Sequence, residues 1–188
     1  MGGAQKKAAE EDREIVFIDE SGFRVQPLVA ATWSRRGETP VAKYAPAKHH
    51  LSVISAVTST GRLFYGMEER ALLSADVIKF VRRIQRCMGK PLLVIWDGAG
   101  IHTSKVVRAA LREGLSPGVW LERLPPYAPD LNPDEGVWSL AKRRLSNVCA
   151  MSVADLVGRV RRVLEAIRRR KDLLLACFGQ AGLALDAP

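Results

Sequence analysis

Apolar residues fall along this chain in two patterns: short unbroken runs, and longer stretches spaced at threes and fours. The clearest run is Leu92-Leu93-Val94-Ile95-Trp96, opened by Pro91 and closed by Asp97-Gly98. So short and so apolar a run predicts a strand buried on both faces. Residues 14–19 (EIVFID) form a second such run, again ending in a carboxylate, with Ser21-Gly22 read as the turn that follows. Residues 28–33 predict a further strand, stopped by Arg35-Arg36-Gly37 and Thr39-Pro40. Residues 51–58 (LSVISAVT) are rich in β-branched side chains, and Ser59-Thr60-Gly61 turns them into Arg62-Leu63-Phe64-Tyr65 as a hairpin. Residues 119–124 predict the last strand.

The helical stretches lie between and after these runs. Val77, Ile78, Val81 and Ile84 keep helical spacing, with Ser74 as N-cap, an end near Cys87, and Gly89 to Pro91 as the stop. Further helices are predicted over residues 104–112, 133–147 and 153–177, with a proline-punctuated loop over 125–133. In the last helix Leu156, Val157, Val160, Val163, Leu164 and Ile167 share an arc of roughly 120°. Arg161, Arg162, Arg168 and Arg169 occupy the adjacent arc, and Ser152 with Asp155 makes a capping box at the start. Antiparallel strands come first and strand–helix units second. The pattern predicts an α/β domain, a mixed five-stranded sheet with helices on its faces, over residues 14–188. Residues 1–13, small and charged, are read as a flexible lead-in.

At 188 residues the chain is long enough to bury a core without staples. The net charge of +9 points to a polyanionic partner, and the distribution sharpens this. From Gly136 onward ten Lys and Arg face four Asp and Glu, supplying +6 of the +9. Cys87, Cys149 and Cys177 are odd in number and widely spaced, which fits neither a disulfide framework nor a zinc pattern and points to a reducing cytoplasm. No apolar run approaches the roughly 18 residues of a membrane helix. Neither a Gly-x-Gly-x-x-Gly nor a phosphate-loop lysine motif is present, which argues against a nucleotide cofactor.

The carboxylates carry the candidate chemistry. If the strands ending in Asp19 and Asp97 are parallel neighbours, their ends lie about 5 Å apart. Two carboxylates so close need a cation between them to stay ionised. Glu20 competes with Asp19, since side chains alternate along a strand and only one of the two faces such a site. Asn132-Pro133-Asp134-Glu135 is a helix start, with Asn as N-cap and Pro at N1. There Glu135 either closes a capping box onto Asn132 or projects as a metal ligand, and Asp134 is a further candidate about 100° away round the helix. His102 is a candidate for ordering a phosphate or a carboxylate, against the plainer role of a polar surface residue.

Three blocks together are similar to one family: FIDESGF with the following TWSRRGETP, LLVIWDGAGIH, and LPPYAPDLNPDEGVWSLAKR. In this order and spacing the chain resembles the DDE transposases of the mariner superfamily, in the bacterial insertion-sequence branch. The third block is the most specific. The resemblance implies a ribonuclease-H-like fold with the first and fourth strands as parallel neighbours. It places the catalytic, metal-binding triad on Asp19, Asp97 and Glu135, and leaves Asp130 and Asp134 as bystanders. It implies two Mg²⁺ or Mn²⁺ ions, hydrolysis of a phosphodiester and then strand transfer. His102, Asn132, Arg161, Arg162, Arg168 and Arg169 are the expected supporting or DNA-contacting residues. The implied partners are transposon-end and target DNA, other copies of the chain on DNA, and a helix-turn-helix half encoded separately, because about fourteen residues precede the first strand. The expected location is the bacterial cytoplasm, acting on the nucleoid. Asp97 and Glu135 stand 135 − 97 = 38 positions apart, a few more than usual in the superfamily, an excess that residues 114–118 are expected to absorb. The rival readings are a ribonuclease-H-like nuclease or resolvase without strand transfer, and an inactive DNA-binding remnant.

Overall fold

The computed structural model describes residues 6, 8–41, 50–97, 105–110, 118–125 and 128–183. Five strands form one sheet: β1 (Glu14–Arg24), β2 (His50–Thr58), β3 (Leu63–Glu68), β4 (Leu92–Trp96) and β5 (Val119–Arg123), in the order β3-β2-β1-β4-β5. The pairs β1–β2 and β2–β3 are antiparallel, whereas β1–β4 and β4–β5 are parallel. The helices are α1 (Ser74–Met88), α2 (Lys105–Ala110), α3 (Pro133–Leu145), α4 (Val153–Arg168) and α5 (Lys171–Gln180). The mixed five-stranded sheet expected from the sequence is the observed one.

Strand alternation divides the core in two. Phe17, Phe23, Leu51, Val53, Leu93 and Ile95 pack on one face with Val137 and Trp138 of α3, Leu164 and Ile167 of α4, and Phe178 of α5. Val16, Ile18, Ile54, Ala56, Val94 and Trp96 pack on the other with Val77, Phe80, Val81 and Ile84 of α1 and Val107 of α2. Ala8, ahead of β1, is buried in the first of these cores, and the Arg13 amide donates to its carbonyl at 2.8 Å.

Four local expectations are corrected. Ser21-Gly22 is not a turn: β1 continues to Arg24, pairing Gly22 with Ser52 and Arg24 with His50. Residues 28–33 form no strand. Leu28 makes a single isolated bridge to Ser146, and the residues after it run along the surface, Val29 90% and Trp33 99% exposed. What holds them is Asn147, left-handed at φ 59°, whose side-chain amide accepts from the Ala30 N–H and donates to the Ala30 carbonyl, each at 3.0 Å. Ser74 is the first residue of α1 rather than its cap; the Asp76 carboxylate takes the Leu73 N–H at 2.9 Å. The helix expected over 153–177 is two helices, broken at Arg169 and Arg170. A straight helix would leave the sheet beyond Ile167. The break lets α5 fold back and set Phe178 edge-on to Phe17, ring centroids 5.6 Å apart.

Candidate functional site

Sites in open sheets form at the carboxyl ends of parallel strands. Asp97 follows the last residue of β4, and Asp19 lies on β1 just past its paired stretch with β4, although β1 itself runs on to Arg24. The register of the two strands runs from Glu14 opposite Leu92 to Phe17 opposite Ile95, and carried two residues on it sets Asp19 level with Asp97. Asp19 also pairs with Ser55 of β2, and Ser55 with Tyr65 of β3. Directly paired residues share a face of the sheet. A polar row, Tyr65, Ser55, Asp19 and Asp97, thus crosses four strands whose other positions are mostly apolar. Alternation separates Asp19 from Glu20: Phe17 faces α3 to α5 and Ile18 faces α1, so Asp19 lies on the α3 side and Glu20 on the other.

The helix start at 132–135 comes down onto this row. Asn132 Oδ1 accepts from the Asp134 amide at 3.1 Å, Pro133 occupies N1, and two acids fill the first turn, where the helix dipole favours negative charge. The Asn132 N–H donates to the Pro129 carbonyl at 2.8 Å, so it is not held by Glu135 as a capping box would have it. Glu135 is exposed, yet among neighbouring charges it raises the Asp19 pKa most. Gly136 lets this end of α3 lie against α5, since a Cβ there would meet Cys177 Sγ at 2.8 Å.

Asp134 is the buried acid of this turn. It is 0% exposed, and its Oδ2 accepts the Ser55 hydroxyl at 2.7 Å. Among the described residues its Oδ1 is buried with no hydrogen-bond partner. Burial, with the charges of Asp19 and Glu135 adding, pushes its carboxyl well above the usual range, and the Ser55 bond works against that rise. Asp19, 9% exposed, is pushed up to about 7. Burial is the main cause, followed by Glu135, with Glu20 and Asp97 also raising it, while a hydrogen bond from the Glu20 backbone lowers it. Acids gathered so that they raise one another's pKa are the electrostatic mark of a functional site.

Other expected residues fall as follows. Asn132 is buried at the helix cap. Arg161, Arg162, Arg168 and Arg169 are exposed on and just after α4, and Arg168 pairs with Glu165 at 3.3 Å. Glu165 in turn accepts the Tyr65 hydroxyl at 2.5 Å, tying α4 to β3. His102 and residues 114–117 lie outside the described residues. Among the described residues, no three His, Cys, Asp or Glu side chains are already set to hold a metal ion. Sequence reasoning gave Ser55 no role. The available signal was a hydroxyl in the middle of an apolar strand, which must find a partner when buried.

A mid-strand carboxylate and one just past the end of the neighbouring parallel strand, with acids from a helix start, point to a class: nucleases and phosphoryl-transfer enzymes built on a ribonuclease-H-like sheet. The chain belongs to the DDE superfamily endonuclease family, whose model matches residues 14–156. Among solved structures it is similar to a pre-cleavage Mos1 transpososome, at 16% identity and TM-score 0.63, covering 97% of this chain and 60% of that one. It is similar to a mariner Mos1 paired end complex with Mg, at 19% identity and TM-score 0.61, covering 96% and 60%. It is also similar to the catalytic domain of Mos1 mariner transposase, at 15% identity and TM-score 0.55, covering 98% and 93%. At these identities the likeness is one of fold, and the chain spans 60% of the length of the two longer transposase chains. No curated protein sequence matches the chain.

Proposed function

We propose that this chain is the catalytic domain of a DNA transposase, cutting phosphodiester bonds at insertion-element ends and joining the freed ends to target DNA. The observation that carries this reading is the parallel β1–β4 register, which carried two residues past Phe17 and Ile95 sets Asp19 level with Asp97, with Glu135 close enough to raise the Asp19 pKa. Asp19, Asp97 and Glu135 would hold the metal. An all-carboxylate oxygen set suits Mg²⁺ or Mn²⁺ rather than zinc, and a buried Asp19 crowded by acids fits a cation's place. The fold neighbours include Mos1 paired end complexes with Mg and with Mn. Two such ions would supply an activated attacking oxygen and neutralise charge at the phosphate.

The chain's own residues do the remainder. Asp19 and Asp97, fixed by the sheet, set where the scissile phosphate sits, and Glu135 closes the site from the start of α3. In hydrolysis a water oxygen forms the new bond to phosphorus as the bond to the 3′ oxygen breaks, leaving a 3′-hydroxyl. In strand transfer that hydroxyl attacks a target phosphodiester and displaces its 3′ oxygen. Arg161, Arg162, Arg168 and Arg169 lie on one exposed surface and neutralise backbone phosphates without reading bases. The partners are then transposon-end and target DNA, further copies of the chain, and a separate helix-turn-helix half that reads the ends. The place of action is the nucleoid in a bacterial cytoplasm.

Metal-dependent nicking of supercoiled plasmid tests the reading. Wild-type protein with Mg²⁺ or Mn²⁺ nicks and yields joined products, and Asp97→Asn does neither. Nicks without joining reduce the reading to a nuclease or resolvase. No nicking, with DNA binding retained, makes the chain an inactive remnant.

A further inference from the structure

Asp134 stands directly before Glu135, and its carboxylate is the most deeply buried acid near the site. A buried carboxylate is costly, and this one is held on the sheet side by a hydrogen bond from Ser55, which pairs across the strands with Asp19 itself. We propose that the Ser55–Asp134 hydrogen bond is a positioning clamp, pinning the first turn of α3 to the centre of the sheet so that Glu135 meets Asp19 across the metal site. This rests on the reading of Asp19, Asp97 and Glu135 as metal ligands.

Four observations converge on the clamp. The bond is short, 2.7 Å, and is classed as buried. It joins residues 79 apart in sequence, so it constrains tertiary placement rather than local conformation. Asn132 fixes the same turn from the other side, accepting the Asp134 amide with its side chain, so both the backbone and the side chain of Asp134 are held. Glu135, the next residue, is held through its backbone, its N–H donating to the Asn132 carbonyl at 3.0 Å, while its side chain is exposed and not bonded to the Asn132 N–H. A ligand carried on an otherwise free side chain needs its helix turn held by something else, and Asp134 is the residue of that turn anchored to the sheet. Supporting residues of this kind set metal affinity through the ligands they orient.

Mn²⁺ titration of the full chain without DNA, well below the melting temperature of each variant, tests the clamp. Ser55→Ala removes the hydroxyl and is expected to weaken Mn²⁺ affinity about tenfold. Ser55→Thr keeps a hydroxyl and is expected to stay within about threefold of wild type. Asp134→Asn keeps an acceptor oxygen for Ser55 and is expected to do the same, whereas Asp97→Asn loses measurable binding. Unchanged affinity in Ser55→Ala, beside loss in Asp97→Asn, overturns the clamp and leaves the metal site standing. Loss in Asp134→Asn as complete as in Asp97→Asn makes Asp134 a ligand and also overturns the clamp. Failure of the wild type to bind Mn²⁺, or full binding by Asp97→Asn, overturns the metal-site reading and the clamp with it.

Discussion

Strand β1 buries two carboxylates, Glu14 at its start and Asp19 midway along it, and the surroundings of the two are opposite. Glu14, 1% exposed, accepts from the Ser59 hydroxyl at 3.1 Å, the Thr60 amide at 3.0 Å and the Thr60 hydroxyl at 2.8 Å, with Lys90 Nζ at 3.3 Å. Donors and a cation are supplied by the β2–β3 turn and the residue before Pro91. Asp19, five residues on, meets Glu135, Glu20 and Asp97, all of which raise its pKa. One carboxylate is completed by the fold. The other sits among acids that raise its pKa, the crowding that marks functional rather than structural acids.

The sharpest way to break the comparison is activity. On the proposed reading Asp19→Asn should reduce plasmid nicking by at least about a hundredfold, because it removes a charge that would hold the metal. Glu14→Ala, assayed where it remains folded, should stay within about threefold of wild type. Stability should show the reverse order. Glu14→Ala leaves several donors from Ser59 and Thr60 without their acceptor and should cost roughly 1–3 kcal/mol in denaturant unfolding.

Asp19→Asn should stabilise the metal-free protein, with a dependence on pH fixed by its raised pKa. Below about pH 4 Asp19 is protonated in both the folded and unfolded chain, and the variant gains nothing. Between its ordinary value of 3.8 and about 7 the folded chain keeps a proton that the unfolded chain has released, so the wild type loses stability as pH rises. The advantage of Asp19→Asn should therefore grow through this window and level off above pH 7 at roughly 1–4 kcal/mol. A flat difference from pH 4 to 8 would place Asp19 in the same satisfied category as Glu14.

The smallest effect concerns the basic surface of α4. Replacing Arg161, Arg162, Arg168 and Arg169 by Gln should leave folding intact and weaken DNA binding, with a salt slope shallower by up to about four. Unchanged affinity and slope would return these side chains to plain solvent exposure.

The strands that carry site residues were legible because their apolar runs are continuous and end abruptly in Asp. Periodicity also found the buried stripes of α1 and α4. It missed the break at Arg169 and Arg170 because the reason lies in tertiary packing, the seating of Phe178 on Phe17. It read residues 28–33 as a strand because apolar content does not say whether a run will pair in a sheet. At the site, Asn132 and Pro133 declared the helix start, but local sequence could not separate the fates of Asp134 and Glu135. These depend on which way each side chain leaves the first turn, and on Ser55, 79 positions earlier. A contact of that range has no periodic signature.

The central claim is that the acids around Asp19 await a divalent cation. Thermal unfolding of the DNA-free chain at pH 7.5 across a Mg²⁺ or Mn²⁺ series tests it most directly, because a ligand that binds only the folded state raises its stability by about 2.7 kcal/mol at a hundred times its dissociation constant. For a chain of this size that is roughly 5–10 °C. The account predicts a saturable rise of this order for wild type and none for Asp19→Asn or Asp97→Asn. An equal rise in wild type and both variants, or no rise in any, would contradict it.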